Sequence, residues 1–112
     1  MAKRISYFYD GSIGNFSYGP VHPMKPHRVR MTHELILNYG LASGMEITRP
    51  RLLLPEEMKS YHTPDYVDFL HIINPDMVTK YKQHCERYRI NDDSTVFDGL
   101  FRYCQITAGG SV

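Results

Sequence analysis

The 112-residue sequence has no tryptophan, only two cysteines and almost no excess charge, and no apolar run nears the roughly 20 residues that cross a bilayer. Each shortage excludes something. Cys85 and Cys104 are too few for a disulfide framework and lack metal-type spacing, so they read as two half-buried thiols in a reducing compartment. Thirteen Lys and Arg against 12 Asp and Glu leave a net charge of +1, so no whole-chain field draws in nucleic acid or an acidic membrane. The stretch from Met1 to Asp10 lacks the apolar core of a signal peptide, which predicts an intracellular protein. Gly-x-Ser-x-Gly, Walker-type and dinucleotide-type glycine motifs are missing, which argues against nucleophilic hydrolysis and a phosphate cradle. No His-x-x-x-His or Asp-x-His cluster appears either. His22 and His27 are separated by two prolines, and His33, His62, His71 and His84 fall on separate elements.

The length allows one small domain, and 42% hydrophobic with 22% charged residues is ordinary globular composition. Nine Tyr and five Phe are a heavy aromatic load for a chain that buries only about 60–70% of its unfolded surface. Some of those rings are expected to pack against something these residues do not contain.

Residues 4–9 are aromatic and β-branched before Asp10-Gly11, which predicts a strand ending in a turn. Gly11 to Pro26 holds three glycines and three prolines, which excludes most regular structure. Loops this long are often functional, and aromatic content predicts that this one is ordered and packed. A helix follows from His27 to Tyr39, with Val29, Thr32, Ile36 and Tyr39 on one face and Gly40 at its C′ position. Glu46-Ile47-Thr48 is a second short strand, and Pro55 to Met58 opens a short helix with acids in its first turn. Thr63-Pro64-Asp65 reads as N-cap, N1 proline and dipole-matched acid, ahead of a stripe of Tyr66, Phe69, Leu70 and Ile73. Asn74-Pro75-Asp76 starts another helix ending near Tyr88, and 91–95 is a polar turn. A final helix carries Phe97, Phe101, Cys104 and Ala108 on one side before Gly109-Gly110. One or two strands with four or five helices do not complete the sheet of an α/β domain.

Two clusters carry chemistry. Asp92-Asp93 serves acid–base work only if one carboxyl is desolvated or repelled by the other; otherwise it caps a helix or faces water. Lys25, His27, Arg28 and Arg30, at the entry to the first helix, fit either an anion or a solvated charged face. The residues by themselves reach an intracellular, incomplete-looking α/β piece with an ordered Pro/Gly loop.

Tyr7-Phe8-Tyr9-Asp10, Gly14-Asn15, Tyr18-Gly19 and the string His22-Pro23-Met24-Lys25-Pro26-His27-Arg28 closely resemble the opening of class I histone deacetylases. The likeness continues through Met31-Thr32-His33, Tyr39-Gly40-Leu41, the run from His62 to Leu70, the run from Val96 to Phe101 and Ala108-Gly109-Gly110-Ser111. It covers essentially the whole chain in register. The resemblance implies an α/β fold, the N-terminal part of the arginase/deacetylase architecture, with a parallel sheet flanked by helices and a first strand at 4–9. Residues 1–112 would be an N-terminal fragment of a histone deacetylase domain.

The resemblance further implies roles for single residues. His22 and Pro23 would wall the acetyl-lysine channel, and Asp93 would accept hydrogen bonds from the substrate backbone at its rim. Tyr18, Met24 and Arg28 would lie near an internal cavity below the metal. Lys25 would help bind an inositol phosphate at a corepressor seam. Three departures stand out: Asp93-Ser94-Thr95 replaces Asp-Cys-Pro and loses the proline restraint, Val21 stands where Gly is frequent, and Ser17 where His is. The last two weaken the inositol phosphate contact, since close approach of backbone to phosphate favours Gly.

The family's general-base histidine pair, zinc ligands and transition-state tyrosine correspond to positions beyond residue 112, so no catalytic or metal-ligating residue is assigned. The expected function is that of the N-terminal segment of a zinc-dependent lysine deacetylase, a chromatin regulator that represses transcription. Zinc is expected for the full-length enzyme but not bound by this chain, which by itself is expected to be inactive. Acetylated histone tails and corepressor proteins are the expected partners, without sequence-specific nucleic-acid or membrane binding. The expected compartment is the nucleus, with the cytoplasm second. The alternatives are a catalytically inactive truncated paralogue acting as a corepressor or chromatin interaction module, and a non-functional product that aggregates through uncovered aromatic faces.

Overall fold

The computed structural model describes residues 3–91 and 93–112, so Asp92 of the acidic pair lies outside the described residues. The order is strand β1 (Ser6–Phe8), a 3-10 turn at Ile13–Asn15, helix α1 (His27–Asn38), a 3-10 turn at Leu41–Gly44 and strand β2 (Glu46–Thr48). Helices α2 (Pro55–Met58) and α3 (Pro64–Ile72), a 3-10 turn at Pro75–Met77, and helices α4 (Lys82–Arg87) and α5 (Leu100–Gly109) follow.

β1 and β2 run parallel with Tyr7 opposite Ile47. Glu46 N–H donates to Ile5 O (2.8 Å) and Tyr9 N–H to Thr48 O (3.0 Å), extending the ladder at both ends. Parallel neighbours need a crossover, and α1 supplies it, so the chain opens with a β–α–β unit. β1 is shorter than the predicted 4–9 because its partner strand offers only three residues before Arg49-Pro50.

Helix α1 starts after Pro26 and stops where Gly40 takes φ +75°, the left-handed C′ conformation that favours Gly. Its inward stripe differs from the expected one. Val29, His33 and Ile36 are half-buried, whereas Thr32 and Tyr39 face solvent. An imidazole does the packing: His33 stacks on Tyr9 at 3.6 Å between ring centres, and its Nδ1 is 2.9 Å from the Tyr7 hydroxyl. A count of apolar residues alone overlooks such a contact.

The core sits around α5. Tyr103 and Ile106 pack with Ile13 and Phe97. Phe101, Cys104 and Ala108 lie against Leu53, Met58 and Val67. Leu100 reaches a third cluster of Phe69, Ile73 and Cys85. The single apolar side expected for this helix is therefore corrected to burial on two sides, as befits a core helix. Residues 51–53 run as an extended strap along it: Leu53 N–H donates to Gln105 O (3.1 Å), and Gln105 Nε2 donates to Leu53 O (2.9 Å). Gly109 makes this approach possible, since a Cβ there would lie 2.0 Å from Arg51 O.

Two further expectations change. Thr63 makes no side-chain cap bond, leaving Pro64 and Asp65 to start α3. The helix expected from Pro75 to Tyr88 is broken into a 3-10 turn, where Asn74 Oδ1 accepts from Asp76 N–H (3.0 Å), and the short α4. The β-branched Val78 and Thr79 between them disfavour helix.

The accessible surface is 8163 Å², against about 6,400 Å² for a compact monomer of this mass. The radius of gyration is 16.5 Å, where a compact domain of about 100 residues has about 13 Å. Exposed apolar side chains on the β–α–β unit include Ile5, Phe8 and Ile47 of the sheet region and Met31 and Leu35 of α1. Cys85 is a buried free thiol and Cys104 a half-buried one, and no helix among the described residues is long and apolar enough to cross a membrane.

Candidate functional site

The site is built where the loop of residues 11–26 meets the turn of residues 91–95. The loop is ordered, and its order starts at Asp10. That buried carboxylate accepts from Ser12 N–H (2.9 Å) and Ser12 Oγ (2.6 Å) and pairs with Arg49 Nε at 3.3 Å. Burial by itself raises an acid's pKa, but the Ser12 and Arg49 hydrogen bonds outweigh it and hold the Asp10 carboxyl below its usual range. Arg30 donates to Gly11 O (3.1 Å) and to Asn15 Oδ1 from the helix side. Ile13 then inserts into the core, and Phe16 meets Tyr103 edge-on.

Tyr18 is the pivot of the loop. Its ring stacks on Phe97 (4.9 Å) and meets Tyr103 and His22 edge-on (5.7 and 5.0 Å). Burial, with Tyr103 beside it, pushes its hydroxyl well up, so it stays neutral. Beyond it, Gly19 adopts φ +118°. The Lys25 ammonium donates to Gly19 O (2.9 Å) and Pro20 O (3.3 Å), tying the loop's tip to its exit.

The turn opposite is an Asx turn. Asn91 Oδ1 accepts from Asp93 N–H (2.9 Å) and Ser94 N–H (3.1 Å). Two bonds join it to the loop: His22 Nε2 to Asp93 O (3.0 Å) and Thr95 Oγ1 to Tyr18 O (3.2 Å). The restraint lost with proline at position 95 is thus matched by a hydroxyl bond that proline cannot make. Between the two segments opens a cavity of about 310 Å³, walled by Tyr18, Tyr66, Tyr88, Phe97 and Tyr103, with the exposed Asp93 at its mouth. Burial also raises Tyr66 and the Cys104 thiol, so both remain neutral. A largely aromatic wall, with Asp93 and Arg89 as its charged groups, suits a long apolar chain attached to a hydrogen-bond donor.

The structure brings together Asp93, His22 and Tyr18, three of the residues singled out from sequence. Pro23 is exposed beside His22. Met24 and Arg28 join each other, Arg28 Nε lying 3.3 Å from Met24 Sδ, but do not line this cavity. Lys25 holds the loop. Sequence reasoning assigns no site role to Asn91, Thr95 or Tyr103; Asn91 and Thr95 stand in the predicted polar turn, whereas Tyr103 carries no local signal. Arg89, also on the cavity wall, holds φ +60°, a strained conformation for a residue other than Gly.

Among the described residues no three His, Cys, Asp or Glu side chains group closely enough to hold a metal ion. These residues therefore do not fit a zinc ion, and no catalytic step is assigned to them. What they form is a surface with an aromatic cavity and a carboxylate at its edge.

Comparison with known proteins gives that surface a context. Residues 22–112 match the histone deacetylase domain family. The chain is 53% identical over 110 residues to the probable histone deacetylase 1-A of Xenopus laevis, covering 98% of this chain and 23% of that protein. It is 52% identical to histone deacetylase 1 of Homo sapiens (98% and 23%) and 46% identical to the type-1 histone deacetylase 1 of Dictyostelium discoideum (98% and 22%). It thus spans about a quarter of the length of these relatives, and its β–α–β opening with flanking helices is the N-terminal part of the arginase/deacetylase fold. The chain belongs to the histone deacetylase family, and within it to the class I N-terminal segment.

Proposed function

We propose that residues 1–112 are the N-terminal fragment of a lysine deacetylase domain acting on acetylated histone tails in the nucleus, where it represses transcription with corepressor proteins. In this reading the fragment supplies the channel wall and rim, while zinc, its ligands and the proton-transferring side chains come from outside residues 1–112. The supporting observation is Asp93: its backbone is fixed by Asn91 and His22 while its carboxylate stands exposed at the mouth of an aromatic cavity. A carboxylate so placed accepts hydrogen bonds from backbone N–H groups of a bound peptide and sets its register. Tyr18 walls the cavity, and His22, bonded to Asp93 O, with its exposed neighbour Pro23 would stand beside the entrance. Met24 and Arg28, in contact with each other, would lie near an internal cavity below the metal, and Lys25 keeps the loop tip in shape. Its third ammonium proton suits an inositol phosphate, a contact that titration of inositol hexakisphosphate into the wild-type and Lys25→Ala chains would test by calorimetry.

The test is turnover of an acetyl-lysine histone peptide by the protein isolated from its own source. Asp93→Ala should raise KM about tenfold or more, the loss expected for hydrogen bonds to a charged acceptor, with metal content unchanged. Unchanged KM removes Asp93 from this role.

The exposed apolar β–α–β surface supports a second reading, an inactive paralogue that binds corepressor or chromatin proteins. Peptide turnover by the source protein excludes that reading, whereas corepressor binding without turnover favours it.

A further inference from the structure

We propose that His22 is a positioning residue for Asp93 and makes no hydrogen bond to substrate. The inference rests on the rim reading of Asp93 and assigns the part played by its neighbour.

Both ring nitrogens of His22 are already in use. Nδ1 is 3.0 Å from Met24 N, and because a backbone N–H can only donate, Nδ1 is the acceptor. The proton of the neutral ring then belongs on Nε2, which donates to Asp93 O at 3.0 Å. No ring nitrogen is left for a ligand. The ring also sits edge-on to Tyr18, 5.0 Å between centres, so it cannot swing without losing that contact.

The effect on Asp93 is direct. Its N–H is bound by Asn91 Oδ1 and its C=O by His22, so both peptide groups that set its backbone are fixed. Thr95 Oγ1 to Tyr18 O forms a parallel bond across the same gap. These contacts tie together segments 71 and 77 residues apart in sequence. The Asp93 carboxylate has no hydrogen-bond or ionic partner among the described residues, so the clasp holds the main chain and leaves the acceptor group open. Preorganisation of this kind raises affinity by removing the ordering cost at binding.

Two substitutions separate the two bonds. His22→Asn keeps an acceptor near the Nδ1 position for Met24 N–H but cannot reach Asp93. His22→Gln carries an N–H near the Nε2 position and can. In the 112-residue chain, nitrogen NMR of His22 should show an unprotonated Nδ1 and a protonated Nε2. Amide exchange at Asp93, Ser94 and Thr95 should quicken about fivefold in His22→Asn, a factor typical of one neutral hydrogen bond, and return toward wild type in His22→Gln. In the source protein His22→Asn should raise peptide KM by a similar factor while kcat moves less. That rise should vanish in an Asp93→Ala background, because His22 acts through Asp93.

A protonated Nδ1, or rim exchange identical in wild type and His22→Asn, overturns the proposal. So does a KM rise that persists in Asp93→Ala, since His22 would then touch substrate itself. Should Asp93→Ala leave KM unchanged while the NMR and exchange results hold, the clasp stands and the rim reading of Asp93 falls.

Discussion

Gly109→Ala places a methyl group where the strap of residues 51–53 crosses α5. The new Cβ would lie 2.0 Å from Arg51 O and 3.3 Å from Leu53 N. Ordinary contact begins at 3.4 Å, so the strap must move by more than an ångström, and the obstacle is backbone rather than a flexible side-chain tip. Moving it strains both bonds between Leu53 and Gln105, about 1 kcal/mol each, and lifts Leu53 partly out of the cluster with Met58 and Val67, about 1 kcal/mol more. The better helix propensity of Ala returns up to about 1 kcal/mol. The net loss is about 2 kcal/mol, a fall in Tm of roughly 10 °C for a chain of this size. Thermal unfolding followed by circular dichroism measures it, with Gly110→Ala as the internal control. A Cβ at Gly110 meets nothing closer than 3.6 Å, so that variant should stay within about 0.5 kcal/mol of wild type. Equal Tm values for the two variants would refute the packing of the strap against α5.

Acid stability is another test. Arg51 donates to both Glu57 oxygens (2.6 and 2.8 Å) and Leu54 N–H adds a third bond (3.0 Å), holding the Glu57 carboxyl down at about 2. Its contribution is complete above the ordinary value of 4.5 and disappears as pH falls through 2, so Tm between those limits should drop more steeply for wild type than for Glu57→Gln; parallel curves contradict this. Arg89→Gly relieves a left-handed backbone and should stabilise by about 0.5–1 kcal/mol, less the entropy Gly adds to the unfolded chain. A lower Tm would mean that the Arg89 side chain contributes more than the strain costs. Gly99→Ala should destabilise, since Gly99 has φ +82° and its Cβ would lie 2.7 Å from Phe16 Cε1; an unchanged Tm would show that Phe16 does not pack there.

The parts of this fold legible in sequence are those governed by local chemistry. Pro26, Gly40, Pro55 and Pro64 bound their helices at the expected places, because proline and glycine act on the backbone wherever they stand. The density of aromatics, glycines and prolines between residues 11 and 26 correctly predicted an ordered loop. What was not legible depends on distant partners. His33 joins the inner face of α1 only because Tyr7 and Tyr9 come beside it. α5 is buried on two sides because separate segments, including the 51–53 strap, wrap around it; Leu100, Tyr103 and Ile106 form a second apolar side that the stripe of Phe97, Phe101, Cys104 and Ala108 leaves out. At the site, Asp93 and His22 were identified through the family resemblance. Their bond and the Thr95–Tyr18 bond span more than 70 residues of chain and follow from the tertiary structure alone.

The central claim is that residues 1–112 hold the wall and rim of a deacetylase channel but not its catalytic centre. Its most direct test is the purified 112-residue chain incubated with zinc and an acetyl-lysine histone peptide, with bound metal and released acetate both measured. The account predicts neither stoichiometric zinc nor acetate release. One zinc per chain together with acetate release would contradict it.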